Sequence, residues 1–98
     1  MDLKVEEIRR ILKEQIEILQ ERYKVKKIGI FGSYIHGDNK TDSDIDILVE
    51  FSVPPDIFEF IRLEEFLSNL LGRKVDLVSI KALKPMIKEN ILQETIYI

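Results

Sequence analysis

Two short segments near the middle of the chain carry the strongest signal in the sequence: residues 32–37, GSYIHG, and residues 43–46, SDID. Gly32 follows residues 27–31, a short run of the β-strand type, and a glycine there lets the backbone turn sharply and approach a ligand closely. The second segment opens residues 44–51, where polar and apolar residues start in strict alternation. The two segments therefore predict two strands joined by a polar loop.

The aspartates of the second segment are predicted to lie side by side. Side chains alternate between the two faces of a strand, so Asp44 and Asp46 share one face while Ile45 and Ile47 share the other. At ~5–7 Å two carboxylates repel each other by about 1 kcal/mol or less in water, and by more in a partly buried cleft. A divalent cation reverses the sign of that interaction. For an isolated pair, an edge strand whose polar face meets water is the more ordinary explanation.

The end of the first strand supplies a second feature. Ser33 offers a hydroxyl and a backbone N–H, and a helical turn starting there would present free N–H groups to a phosphate. A Gly-Ser pair after a strand is common in ordinary turns, so this feature alone is weak. A phosphate-binding loop beside a pair of cation-binding carboxylates, however, is the minimum equipment for phosphoryl or nucleotidyl transfer.

Helical periodicity predicts one helix before the first strand. Apolar residues recur three and four positions apart, while Glu, Lys and Arg fill the other face. These apolar residues are Val5, Ile8, Leu12, Ile16, Leu19 and Tyr23.

A second helix is predicted after the Pro54-Pro55 pair. Asp56 and Glu59 have the spacing of a capping box at its start, and Gly72 has the character of a helix stop.

The last part of the chain predicts a strand and a short helix. Residues 74–78 have strand character, and Pro85 suits the first turn of a helix. Residues 95–98 fit either a strand or a helix end. The order of elements predicts an α/β (α+β) fold, in which a small mixed sheet of three to four strands packs with helices, and we expect one domain over residues 1–98.

Composition excludes several classes of function. The sequence has no cysteine, which excludes disulfide scaffolds, cysteine zinc sites and thiol catalysis. With a single histidine, any metal must be held by oxygen ligands, which suit Mg²⁺ or Mn²⁺. The net charge of −3 argues against a broad nucleic-acid surface, so we expect no direct nucleic-acid partner. No apolar run reaches the ~20 residues of a membrane span and no signal peptide is visible, so we expect a cytoplasmic protein without a membrane partner.

Residues 32–46 match GS-x(10)-D-x-D, the hallmark of the DNA polymerase beta-like nucleotidyltransferase superfamily. The short length and the spacing make the chain resemble the minimal nucleotidyltransferases, or MNT domains. The resemblance extends to the initial helix, to the VDLV strand at residues 75–78, and to the C-terminal segment that begins with Leu-Lys-Pro. It therefore covers nearly the whole chain and implies the polymerase beta-like nucleotidyltransferase fold.

The resemblance implies a metal site of three carboxylates. Asp44 and Asp46 would bind two Mg²⁺ ions that hold the nucleotide phosphates. The family has a third carboxylate on the strand after the second helix, and Asp76 matches it. Asp76 would share one metal and help to activate the attacking hydroxyl as a base. On composition alone, Asp76 would rather be a strand residue that reaches solvent.

The resemblance also implies a nucleotide site, with one departure. Gly32 and Ser33 would hold the triphosphate of ATP, and Ser43 would support the loop. Family members often carry Arg just before the second glycine, where this chain has His36, with Ile35 in place of a small residue. An arginine pairs with phosphate at any pH, whereas a histidine does so only when protonated.

Stand-alone MNT proteins resemble the antitoxin half of HEPN/MNT toxin–antitoxin pairs. The resemblance implies transfer of AMP from ATP to a tyrosine of a HEPN toxin, which silences that toxin, and homo- or hetero-oligomers are both compatible with this. Two alternatives remain open at this point. One is a non-catalytic MNT module that neutralises its partner by occlusion. The other is a nucleotidyltransferase that modifies a small aminoglycoside-like molecule.

Overall fold

The computed structural model describes residues 4–32, 35 and 44–98. Within these residues, no helix is both long and apolar enough to cross a membrane. The described elements, in chain order, are α1 (Val5–Glu14), α2 (Ile16–Glu21), β1 (Val25–Phe31), β2 (Ile45–Phe51), α3 (Ile57–Leu71), β3 (Val75–Ser79), a 3₁₀ turn (Ile80–Ala82), α4 (Pro85–Glu94) and β4 (Ile96–Tyr97).

The strands form one mixed sheet in the order β3-β2-β1-β4. β1 pairs antiparallel with both β2 and β4, and β2 pairs parallel with β3. The crossover between the parallel strands is α3, since antiparallel strands can be joined by a tight loop but parallel strands need a long connection. The predicted mixed sheet packed with helices is confirmed, and the aspartate-bearing strand β2 lies inside the sheet, not at an edge.

The two faces of the sheet are packed differently. Helices α1, α2 and α3 bury one face in the main core, which includes Ile8, Leu12, Leu19, Ile28, Ile30, Ile45, Ile47, Val49, Leu63, Leu67, Leu71, Val75 and Leu77. On the other face a smaller cluster joins Phe31, Leu48 and Ile80 to Ile91 and Leu92 of α4. The aspartates of β2 must therefore share a face with this smaller cluster, because strand side chains alternate.

Helix α3 begins and ends as the sequence predicts. The Asp56 carboxylate accepts a hydrogen bond from the Glu59 N–H at 2.8 Å, and the Glu59 carboxylate accepts one from the Asp56 N–H at 3.3 Å. Gly72 ends the helix in the left-handed region, with φ of 67°. The capping box and the glycine stop are confirmed, and β3 starts three residues after Gly72.

The prediction of one N-terminal helix was wrong, because the chain breaks it at Gln15. That residue lies outside helical geometry (φ −103°, ψ 11°) and separates α1 from α2. No proline or glycine marks the position. Leu12 and Leu19 are nevertheless fully buried on either side of it, so both halves keep an apolar side in the main core. Tyr23 lies beyond α2 and stacks at a tilt on Phe66, with ring centroids 5.3 Å apart.

The C-terminal tail is a strand. Ile96 and Tyr97 pair with Ile30 and Gly29 of β1. A Cβ at Gly29 would stand 2.5 Å from the Thr95 methyl carbon, so only glycine lets the tail approach this closely. The glycine therefore leaves the room that the tail needs to add a fourth strand.

Candidate active site

The start of β2 presents two carboxylates on the face opposite the main core. Ile45 and Ile47 are fully buried under the helices, while Asp44 and Asp46 are half-buried. Asp44 directly precedes the strand and Asp46 is its second residue. The alternation predicted from the sequence is therefore present, although the strand begins one residue later than expected.

The third predicted carboxylate lies beside the pair. Asp76 is the register partner of Asp46 in the parallel β2–β3 pairing. Its neighbours Val75 and Leu77 are buried in the main core, so Asp76 points to the same face as Asp46 and is exposed there. Neighbouring strands run about 4.8 Å apart, which brings the two aspartates within reach of a shared ligand.

Gly32 lies directly against this group. It adopts a positive φ of 79°, and a Cβ built on it would collide with the carboxylate of Asp46. The register agrees, because Phe31, the residue before Gly32, is opposite Asp46 in the β1–β2 pairing. The Ile35 N–H donates to the Gly32 carbonyl at 3.1 Å. Gly32 and Asp46 are thus brought together, as the sequence analysis requires.

Three residues singled out in the sequence lie outside the described residues. They are Ser33, expected to hold the triphosphate, Ser43, expected to support the loop, and His36, the departure from the family pattern. Their predicted roles stay predictions.

Sequence reasoning missed one charged residue at the site, Lys74. Its Nζ lies 3.8 Å from Oδ2 of Asp44, and the two side chains are 79% and 44% exposed. The backbone brings them together, since the Ile45 N–H donates to the Lys74 carbonyl at 3.0 Å. The available signal was spacing: Lys74 stands two residues before Asp76 in an extended segment, so it shares the face of that aspartate.

The donor set suits a hard cation, although the side chains do not converge as they stand. Three carboxylates on one face supply only oxygen ligands, which Mg²⁺ and Mn²⁺ prefer. Within the described part of the chain, no three histidine, aspartate or glutamate side chains are close enough to hold a metal ion. Asp44 is turned toward Lys74, whose ammonium group provides a positive charge beside the carboxylate. The three aspartates therefore match a site for a hard cation in residue type, in the face of the sheet they share and in strand register.

One groove among the described residues is separate from the aspartates. It has a volume of about 340 Å³ and lies at the far ends of β2 and β3. Its lining residues are Glu50, Phe51, Pro54, Pro55, Ser79, Lys81 and Ala82. Asp46 and Asp76 lie near the beginnings of the same strands, so this groove is not an extension of the carboxylate site.

The chain is similar to proteins of known name. The chain is 48% identical over 96 residues to the protein adenylyltransferase MntA of Thermococcus cleftensis, a match that covers 98% of this chain and 97% of the relative. A solved structure provisionally named a minimal nucleotidyltransferase superposes with a TM-score of 0.79 at 34% identity, covering 96% of this chain and 95% of the other.

A second solved structure adds a nucleotide analogue and a complex. It is a toxin–antitoxin with AMP-PNP, similar to this chain with a TM-score of 0.70 and 26% identity, over 87% of this chain and 70% of the other. The family model of the nucleotidyltransferase domain matches residues 12–98, a range that includes all three aspartates. The chain therefore belongs to the nucleotidyltransferase domain family and is an enzyme of that class.

Proposed function

We propose that the chain is a Mg²⁺-dependent protein adenylyltransferase that transfers AMP from ATP to a tyrosine of a HEPN toxin and so acts as its antitoxin. The observation that carries the proposal is the register of β2 and β3, which pairs Asp46 with Asp76 on the face that Asp44 also shares. The relative from Thermococcus cleftensis, named a protein adenylyltransferase, supports the choice of reaction. The similar toxin–antitoxin structure supports the choice of partner.

In the proposed reaction the tyrosine oxygen attacks the α-phosphorus of ATP. The bond from that phosphorus to the oxygen bridging to the β-phosphate breaks, and pyrophosphate leaves. Asp76 accepts the hydroxyl proton, a role that fits its exposed position, since an acceptor from another protein must approach from solvent. Asp44 and Asp46 would hold the cations, and bound Mg²⁺ would neutralise the charge that develops on the phosphates.

Gly32 has a positioning role in this proposal. Its missing side chain lets the backbone after β1 lie against Asp46, so the nucleotide phosphates and the metal-binding carboxylate can meet. We include Ser33 and Ser43 as the residues that hold the triphosphate and support the loop, on the strength of the family resemblance. The proposal also includes one domain over residues 1–98 and a cytoplasmic location, where ATP is available.

Intact-mass spectrometry of the co-purified toxin tests this function. After incubation with ATP and Mg²⁺, the wild type should add one or more AMP units to the toxin. Asp44→Asn and Asp76→Asn should lower the rate at least ~100-fold, because each removes a carboxylate that acts on the transferred group. Glu65→Gln, on the exposed side of α3, is the matched control and should keep the wild-type rate.

The same experiment separates the alternatives. A stable complex whose toxin gains no mass with the wild type would favour neutralisation by occlusion. In that case an Asp44→Asn/Asp46→Asn variant would still neutralise the toxin in cells. Labelling of small hydroxyl-bearing acceptors by ATP, without labelling of the toxin, would instead indicate a small-molecule nucleotidyltransferase.

A further inference from the structure

We propose that Lys74 is the counter-ion of Asp44 in the metal-free protein and competes with the cation for that carboxylate. The proposal rests on the metal-dependent function above and deepens it, because it identifies a positioning residue that controls access of the cation to Asp44. The contact that carries it is the 3.8 Å approach of Lys74 Nζ to Asp44 Oδ2.

The fold brings the two residues together and keeps them in reach of the site. Lys74 directly precedes β3 and Asp44 directly precedes β2, and the adjoining residues Val75 and Ile45 are register partners. The backbone contact from the Ile45 N–H to the Lys74 carbonyl fixes the spacing of the two segments. The ion pair thus joins the starts of the two strands that carry the three aspartates.

The ion pair between Lys74 and Asp44 is weak enough for a cation to replace Lys74 at the carboxylate. Lys74 is 79% exposed and Asp44 is 44% exposed, so water and salt screen their attraction. Ion pairs of this kind are weak, while a divalent cation attracts a carboxylate more strongly than an ammonium does. A cation that binds Asp44 must displace Lys74 from it, and then lies close to a like charge. Both effects make metal binding weaker than it would be without the lysine.

Binding of Mn²⁺ alone, measured by electron paramagnetic resonance on the full chain without nucleotide, tests the proposal. Lys74→Met should tighten Mn²⁺ binding about two- to five-fold at low ionic strength, within the range set by exposed ion pairs. The difference should shrink as salt is raised, because the charges are exposed. Lys74→Arg, which keeps the charge, should retain an affinity close to that of the wild type.

Lys81→Met is the matched control. It removes the same charge from the opposite end of β3, where Lys81 is exposed and the strand separates it from Lys74 by roughly 16 Å. It should therefore change Mn²⁺ affinity much less than Lys74→Met at low ionic strength, and not at all at physiological salt, where the Debye length is about 8 Å. A double-mutant cycle adds specificity: in the Asp44→Asn background, Lys74→Met should tighten the remaining Mn²⁺ binding less than in the wild type, because only the repulsion between Lys74 and the cation is left to remove. A purely structural role for Lys74 would not produce this dependence on Asp44.

The outcomes separate the two proposals. Unchanged or weakened Mn²⁺ binding in Lys74→Met, with a wild type that binds Mn²⁺, would overturn the role of Lys74 and leave the metal-dependent function standing. A wild type that binds no Mn²⁺ without nucleotide would also overturn the role of Lys74, while the metal-dependent function would be decided by the transfer of AMP to the toxin. The expected result is binding that tightens more in Lys74→Met than in Lys81→Met, with a smaller gain from Lys74→Met in the Asp44→Asn background.

Discussion

Gly32 serves the backbone and the site at once. Its φ of 79° lies in the left-handed region that side-chain-bearing residues avoid, and the carboxylate of Asp46 occupies the space of a Cβ. The positive φ affects stability, because it would strain any other residue at position 32 whatever its neighbours are. The close approach of Asp46 affects function, because any side chain at position 32 displaces a proposed metal ligand. Gly72 also has a positive φ but no close neighbour, so the two effects can be measured separately.

Gly32→Ala should therefore lower both stability and activity. We expect a loss of about 1–2 kcal/mol in the free energy of unfolding from backbone strain, and at least a ~10-fold loss in adenylyl transfer from the displaced carboxylate. Gly72→Ala is the control, because Gly72 has a similar φ of 67° but nothing lies within 4 Å of the point that its Cβ would occupy. It should show a similar loss of stability, measured by chemical denaturation, with activity unchanged. Equal activity losses in the two variants would refute a special role for Gly32.

Among the elements, β3 is a sheet edge that α3 covers with side chains. The Val75 N–H donates to Oγ of Ser68 at 3.0 Å, and the Leu77 N–H donates to Oε2 of Glu64 at 3.2 Å. Val75 and Leu77 flank Asp76 in the chain, so the hydrogen bonds from α3 hold the part of β3 that carries the third aspartate. Edge strands otherwise present unpaired backbone groups that invite pairing with other chains.

Glu64→Ala should destabilise the protein, because it leaves the Leu77 N–H without its acceptor. The expected loss is about 1–2 kcal/mol in the free energy of unfolding, the range for an unpaired, partly buried donor. Glu64→Gln keeps an oxygen acceptor at the same place and should lose much less. Glu65→Ala, on the exposed side of the same helix, controls for helix propensity. Unfolding in urea measures all three, and equal losses in Glu64→Ala and Glu64→Gln would contradict the hydrogen-bond explanation.

Elements were predictable wherever one local signal decided them. The capping box at Asp56 and the stop at Gly72 use residues whose chemistry acts within one turn, so the bounds of α3 followed from the sequence. The break at Gln15 was not predictable, because no proline or glycine in α1 or α2 marks it. The tail as a strand depends on space beside Gly29, which only the folded neighbours define.

For the molecule as a whole, the sequence predicts which face of the sheet carries the site, but not how the two strands that form it pair. Alternation in the strand gave the common face of Asp44 and Asp46. The family resemblance, not the spacing, added Asp76, because the chain separates it from the pair by a whole helix. Its register with Asp46 and the contact of Lys74 with Asp44 arise only when β2 and β3 pair in parallel. Long-range pairing of this kind leaves no periodic signal in a single sequence.

Nucleotide binding should stabilise the whole molecule through these aspartates. At Mg²⁺-ATP about 100-fold above its dissociation constant, the free energy of unfolding should rise by about 2.7 kcal/mol, which raises the melting temperature by roughly 10–20 °C for a domain of this size. Addition of EDTA should remove most of the shift, since the cation links the phosphates to the carboxylates. Asp46→Asn should show little shift, while Glu65→Gln should match the wild type.

The groove at the far ends of β2 and β3 offers a competing site, with Phe51 among its lining residues. A full shift in Asp46→Asn that Phe51→Ala abolishes would move the nucleotide to that groove, because only there does the binding energy depend on Phe51 and not on the carboxylates.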